Sequence, residues 1–215
     1  MRYDGVDMSL IRIFRGVCLT MALVVSAGAA APATNNLPPA DLRILSRADW
    51  GANPPVTAMK THAPSRITIH HTAVLQKPDR SLKDKLQALQ KFSQNEGKLG
   101  NGKPKPAWPD VPYHFYIDCK GGVAEGRDVN AVGDTNTAYD PTGHVLVVLE
   151  GNFEEEPVAD AQWATLVKMV AWLAARYQVA PADVQGHKDY AQTACPGKQL
   201  EALLPKLRAT VPTAK

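Results

Sequence analysis

Apolar positions along the 215-residue chain recur with two periods. Around Ile67 and Ile69, with Thr68 and His70 between and beside them, the alternation has period two and predicts a strand. Leu82, Leu86, Leu89 and Phe92 fall at helical spacing and predict a helix that Asp79 or Ser81 could cap. Residues 113–118 read as a strand, which Cys119-Lys120-Gly121-Gly122 turns into a second short strand ending at Glu125. Residues 145–149 form an apolar run rich in β-branched side chains, the pattern of a central strand, and Gly151-Asn152 ends it. The longest helical stripe is Trp163, Leu166, Val167, Val170, Leu173, Ala174 and Tyr177, within a helix predicted over residues 160–177. Pro181 and Asp183 stop and restart the chain, and Leu200, Leu203, Leu204 and Leu207 mark one face of a last helix. Strands alternating with helices, plus a hairpin, predict an α/β fold with a mixed central β-sheet flanked by helices. Residues 96–112, rich in Gly, Pro and Lys, read as a long loop, and such loops in a compact domain are more often functional than idle.

The ends of the chain read differently. Arg12 and Arg15 precede an apolar run over residues 17–27, and Ala27-Gly28-Ala29 supplies a small-residue cleavage pattern. Residues 1–29 are therefore expected to be a signal peptide, too short in its apolar part to span a bilayer, with Met8 a cleaner start than Met1. The residues before Cys18 lack the small-residue pattern of a lipid-anchoring box. Residues 30–43, with Ala, Pro, Thr and Asn and little to bury, read as a linker, and 44–210 as the single folded domain. The expected destination is export, to the periplasm or the medium, without stable membrane insertion once the leader is removed. The formal net charge is +3, with 24 basic against 21 acidic residues and no dense Lys/Arg stripe. That balance argues against a nucleic-acid partner. No long hydrophobic surface pattern demands an oligomer, so a monomer is expected.

The candidate chemistry lies in three segments: Ile67-Thr68-Ile69-His70-His71-Thr72, Pro112-Tyr113-His114-Phe115, and the run from Gly186-His187 to Cys195-Pro196-Gly197. A hydrolytic zinc site needs three protein ligands and an open position, and imidazole with thiolate suits that metal. By composition alone the pattern is weak: His187 and Cys195 do not match zinc-finger spacing, and two cysteines in an exported domain also invite a disulfide.

These segments resemble the amidase family that includes bacteriophage T7 lysozyme and the peptidoglycan recognition proteins. Ser46-Arg47-Ala48-Asp49-Trp50-Gly51-Ala52 resembles the opening of that domain, and Ile69-His70-His71-Thr72 its first metal strand. Asp110-Val111-Pro112-Tyr113-His114-Phe115-Tyr116-Ile117, with Gly122 and Glu125-Gly126-Arg127, resembles its central hairpin. Gly151-Asn152-Phe153 matches a further segment, and Gly186-His187 followed by Cys195-Pro196-Gly197 matches the closing metal motif in residue type and spacing. The matches run in order over residues 45–207.

The resemblance implies the fold of those proteins, a zinc ion (Zn2+) held by His70, His187 and Cys195, and hydrolysis of the amide between N-acetylmuramic acid and L-alanine in peptidoglycan or a muropeptide. It implies Tyr113 as a catalytic residue, and Thr193 is expected to join it in stabilising the tetrahedral oxyanion. Thr193 stands where phage enzymes carry lysine and recognition proteins often carry threonine, so the general base is left unassigned. The resemblance makes His70, and not His71, the ligand; alternating strand residues face opposite ways, so only one of the pair is expected at the metal, with His71 structural. Cys119 is then expected to be a free buried thiol. A non-catalytic peptidoglycan-binding module and a zinc endopeptidase acting on the stem peptide are the rival readings; non-catalytic relatives commonly lack the cysteine that Cys195 supplies here. Related cytoplasmic amidases place a glutamate near the end of the 145–149 strand, but Val148 aligns with it better than Glu150. His114 and His144 are expected to serve packing or hydrogen bonding. Trp108, Arg127 and Asn152 fit a substrate groove or, equally, a loop anchor, a surface charge and a turn. Lys98, Lys103 and Lys105 read as a solvated loop that could also meet stem-peptide carboxylates.

Overall fold

The computed structural model describes residues 37–99 and 102–212; the predicted leader lies outside them. In chain order the elements are β1 (Ile44–Leu45), α1 (Arg47–Trp50), β2 (Arg66–His71), α2 (Leu82–Gln94), β3 (Gly97–Lys98), β4 (Pro104–Lys105), β5 (Phe115–Ile117), β6 (Val123–Glu125), β7 (His144–Leu149), α3 (Asp160–Tyr177), β8 (Val184–Gly186), α4 (Lys198–Glu201) and α5 (Leu204–Arg208). Six strands form one sheet in the order β1-β6-β5-β7-β2-β8. β5 and β6 are the antiparallel hairpin expected from the sequence, and every other neighbouring pair in this sheet is parallel.

The period-two pattern of β2 decides what each face of the sheet meets. Ile67 and Ile69 join Val145, Val147 and Leu149 of β7 in one core with Leu166, Met169, Val170 and Leu173 of α3 and with Leu200, Leu204 and Leu207 of α4 and α5. Each such aliphatic side chain, fully removed from water, contributes about 1.5–3 kcal/mol. The other face carries a smaller core in which Tyr116, Ala124 and Val148 pack against Trp50 of α1 and Leu86 of α2. Ser46 caps α1 by accepting the Asp49 N–H, and Gly51, at φ +74°, ends it in the left-handed conformation that favours glycine. Trp50 then donates its indole N–H to the Glu125 carbonyl at 2.7 Å, locking the start of the domain onto β6.

Several sequence expectations change on packing. Ser81 caps α2, but the buried face carries Lys85, Leu86, Gln90 and Ser93, while Phe92 is 44% exposed. Polar residues displace part of the apolar stripe because each finds a buried partner: Gln90, for one, bonds the Asn53 carbonyl and Asp110. The 96–112 stretch is not wholly irregular, since β3 and β4 pair as a short antiparallel hairpin. Lys105 is not a solvated loop lysine. It is 2% exposed, its ammonium donates to the Ser93 and Pro106 carbonyls, and it sits 5.0 and 4.5 Å from the Phe92 and Trp108 ring centres. The last predicted helix is two short ones, because Pro205 in the first turn of α5 has no N–H to continue the ladder. At the other end, Leu42 is buried and Asp41 pairs with Lys168 of α3, so the last residues of the expected linker are attached to the domain.

Glu150, just beyond β7, has a structural placement. Its carboxylate accepts from the Lys85 ammonium at 2.8 Å and from the Cys119 and Lys77 backbone N–H groups. Asp118 lies 3.6 Å from the same ammonium, and Cys119 is a free buried thiol beside it. The network ties α2 to the ends of β5 and β7. Removing one member of a buried ion pair strands the others and costs about 3–5 kcal/mol. Lys85→Met is therefore expected to lower the melting temperature by roughly 10 °C, read by circular dichroism. An unchanged transition would show that the network is not what anchors α2.

Candidate metal centre

Parallel pairing of β2 with β8 sets Ile69 opposite Gly186, so the next residues, His70 and His187, stand abreast. Beyond His187 the chain makes a short turn and returns along the end of β2. There the Cys195 sulfur accepts the His71 N–H at 3.4 Å, and the Cys195 carbonyl accepts the Lys188 N–H at 2.9 Å. Gly197 lets this loop leave: at φ +91° a side chain would be strained, and a Cβ would come within 2.6 Å of the Phe153 backbone. One donor atom each of His70, His187 and Cys195 lies within 4.8 Å of the others. His71 faces the opposite way, where its Nδ1 accepts the Phe153 N–H.

The donor set fits a tetrahedral thiophilic metal. His70 Nδ1 is 3.6 Å from the Cys195 sulfur. Zinc at about 2.3 Å from sulfur and 2.0–2.1 Å from nitrogen would hold the two about 3.5 Å apart. His187 Nε2 is engaged at 2.6 Å by the Thr137 hydroxyl, which leaves Nδ1 as the ring nitrogen for a metal. The remaining nitrogen of His70, Nε2, is buried without a hydrogen-bond partner within the protein, an arrangement that costs about 1–3 kcal/mol and so calls for a compensating role.

The electrostatics point the same way. Burial, and then the neighbouring imidazoles of His187 and His71, push His70 well below the ordinary histidine range. Burial lowers His187 to about 4. Both rings are thus neutral, the form that ligates metals. Burial raises the Cys195 thiol to about 12, against the His71 N–H bond that favours the thiolate. Two neutral imidazoles and a desolvated sulfur are a poor environment for a proton and a good one for a divalent cation.

Tyr113 lies against this trio, its ring centre 5.2 Å from that of His70. Burial raises its phenol above the ordinary range, so it stays protonated as a donor. Thr193 is in the Cys195 loop, where its hydroxyl oxygen accepts the Cys195 N–H at 3.2 Å and keeps its own proton free to donate. Other candidates are placed elsewhere. His114 is bonded on both ring nitrogens, to the Ala131 carbonyl and the Leu146 N–H, and His144 bonds the Thr68 hydroxyl. Arg127 is buried, with Asp134 and the Val111, Val132 and Asp110 carbonyls as partners. Asn152 holds a turn through Glu155 and Glu156. What sequence reading missed is the segment between β6 and β7, where alternate residues Thr135, Thr137 and Tyr139 all meet His187. The period-two spacing was visible, but nothing in it named its target.

A mixed sheet thus brings two histidines and a cysteine together at adjacent strand ends, a donor set that could hold a metal ion. The family profile described as N-acetylmuramoyl-L-alanine amidase (Amidase_2) matches residues 60–198, and the chain belongs to this family. Peptidoglycan recognition protein 1 of Mus musculus is 32% identical over 162 residues, covering 73% of this chain and 83% of the mouse protein. The N-acetylmuramoyl-L-alanine amidase LysC from Clostridium intestinale superposes with a TM-score of 0.61 at 26% identity, over 79% of this chain and 99% of that one. A Tyr-to-Phe variant of Drosophila PGRP-LB, solved in complex with tracheal cytotoxin, superposes with a TM-score of 0.59 at 27% identity, over 74% and 91% of the two chains. The recognition-protein and phage-lysozyme-like fold expected from the sequence is thus the fold of this chain.

Because Thr137 holds His187 through its outer nitrogen, Thr137→Val is expected to weaken binding of zinc or cobalt about 10- to 100-fold, read by competition with a chromophoric chelator. Equal affinity in the variant would remove Thr137 from the site's support.

Proposed function

We propose that this chain is a zinc-dependent N-acetylmuramoyl-L-alanine amidase that releases stem peptides from peptidoglycan or muropeptides. The observation that carries the reading is the 3.6 Å approach of His70 Nδ1 to the Cys195 sulfur, with His187 beside them and Tyr113 against His70. His70, His187 and Cys195 would hold the metal. Zinc, when bound, polarises a carbonyl and lowers the pKa of water. The reaction adds water across the amide: the C–N bond breaks, the hydroxyl stays on the lactyl carbonyl carbon, and the alanine nitrogen leaves with the proton.

The chain's own groups take distinct parts. Tyr113, kept neutral by burial, donates to the carbonyl oxygen as negative charge builds there. Thr193 offers a second donor from the opposite loop, its oxygen already occupied by the Cys195 N–H. The rigid loop around Cys195 and the Thr137 bond to His187 hold the ligands ready, so little reorganisation accompanies reaction. The reading is supported by the amidase name of LysC and by the tracheal cytotoxin bound to the PGRP-LB variant. The domain of residues 44–210 would act as a monomer after export to the periplasm or the medium, on a cell-wall polymer and not on nucleic acid.

Digestion of purified peptidoglycan, followed by mass spectrometry, tests the reading. Intact stem peptides with an L-alanine amino terminus are expected, lost with a chelator and restored by zinc. Cleavage within the stem would make the enzyme an endopeptidase, and polymer binding without release would make it a recognition module. Cys195→Ala is expected to abolish release, and Tyr113→Phe to lower kcat by about 10²–10³-fold. Zinc at about one hundred times its dissociation constant is expected to stabilise the fold by about 2.7 kcal/mol, seen as a higher melting temperature in the wild type and not in Cys195→Ala.

A further inference from the structure

Two tyrosine rings flank the histidine pair. Tyr113 lies 5.2 Å from His70 between ring centres, His70 lies 4.6 Å from His187, and His187 lies 5.2 Å from Tyr139. The four rings form a continuous row with a tyrosine at each end. Tyr139 comes from the segment between β6 and β7 that also delivers Thr137. Its ring is held from behind by Tyr190, stacked at 5.6 Å, and by His144 at 5.5 Å. The side chain is therefore fixed in place by packing, and a phenylalanine would fill the same space.

The hydroxyl is what packing does not explain. It is buried and has no hydrogen-bond partner within the protein, while its neighbours are paired: Thr135 with Thr137, Thr137 with His187, and Thr68 with His144. A desolvated, unpaired hydroxyl lowers stability and persists where something other than folding requires it. Burial raises the Tyr139 phenol, and the Cys195 sulfur adds to that effect. The same sulfur and Tyr139 itself add to the effect of burial on Tyr113. The ring contacts place the two tyrosines at opposite ends of the histidine pair.

We propose that Tyr139 is a further catalytic donor beside Tyr113 and Thr193, whose O–H hydrogen-bonds the carbonyl oxygen of the scissile amide from the His187 side while Tyr113 approaches from the His70 side. The inference rests on the amidase reading above. The phenol remains neutral throughout and transfers no proton. Its bond strengthens as charge develops on the oxygen, so it acts on turnover and not on ground-state binding.

The test compares wild type and Tyr139→Phe as zinc-loaded full chains on purified muropeptide. Expected for the variant is a kcat about 100-fold lower with KM within about 2-fold, since one preorganised donor is lost. Its melting temperature is expected to stay level or rise by about 2 °C, because an unpaired hydroxyl has gone. Its cobalt-substituted form is expected to keep the wild-type thiolate-to-cobalt absorption and metal affinity. Retained turnover would overturn the proposal. So would a fall in turnover together with a lower melting temperature, which marks a packing role, or together with altered cobalt absorption, which marks an effect on the ligands. If zinc-loaded wild type releases no peptide, the amidase reading fails and this inference fails with it; an inactive variant beside an active wild type cannot be confused with that outcome.

Discussion

The parallel pairing of β2 between β7 and β8 is the constraint on which the rest of the site depends. It sets Ile69 opposite Gly186, and the histidine that follows each of them then lies beside the other. A shift of one residue in that register would turn His70 into the core in place of Ile67 and Ile69 and bring those isoleucines out. The burial of Ile67 and Ile69 against α3 therefore fixes the face of the sheet on which His70 stands. Site precision is inherited from the core.

Polar burial in this molecule falls into two kinds. The Lys85–Glu150–Asp118 network and the Arg127–Asp134 pair are satisfied within the protein and join secondary elements. His70 Nε2 and the Tyr139 hydroxyl are buried without protein partners, and both lie at the trio. Satisfied groups join the secondary elements, and two of the unpartnered ones, His70 Nε2 and the Tyr139 hydroxyl, sit beside His187. Glu150, with three partners, belongs to the anchoring kind.

The four rings of Tyr113, His70, His187 and Tyr139 form the wall of the site, and desolvation acts on all of them in one direction. It keeps the imidazoles neutral and the phenols protonated. The same burial leaves the Cys195 thiol reluctant to ionise unless a cation compensates. A metal would thus complete a charge arrangement that the protein leaves unbalanced, and the phenols would present donors to whatever oxygen approaches it.

Much of this was legible in the residues themselves. The α3 stripe, the alternation in β2 and the apolar run of β7 follow from side-chain periodicity, which depends only on local geometry. The family motif pointed to His70, His187 and Cys195 and chose His70 over His71, while alternation required that only one of that pair face the site. Tertiary structure decided what periodicity cannot carry. Phe92 leaves the helix stripe because Lys85 and Gln90 find buried partners far along the chain, and Lys105 is buried because Phe92, Trp108 and two carbonyls enclose its ammonium. Thr137 and Tyr139 reach His187 across about fifty residues of sequence, a meeting set by the sheet and not by any local pattern. The sequence by itself determined which residues could form strands, helices and ligands. Only the packed fold determined which polar groups would be paired and which would be left facing the site, because hydrogen-bond satisfaction is a property of neighbours in space.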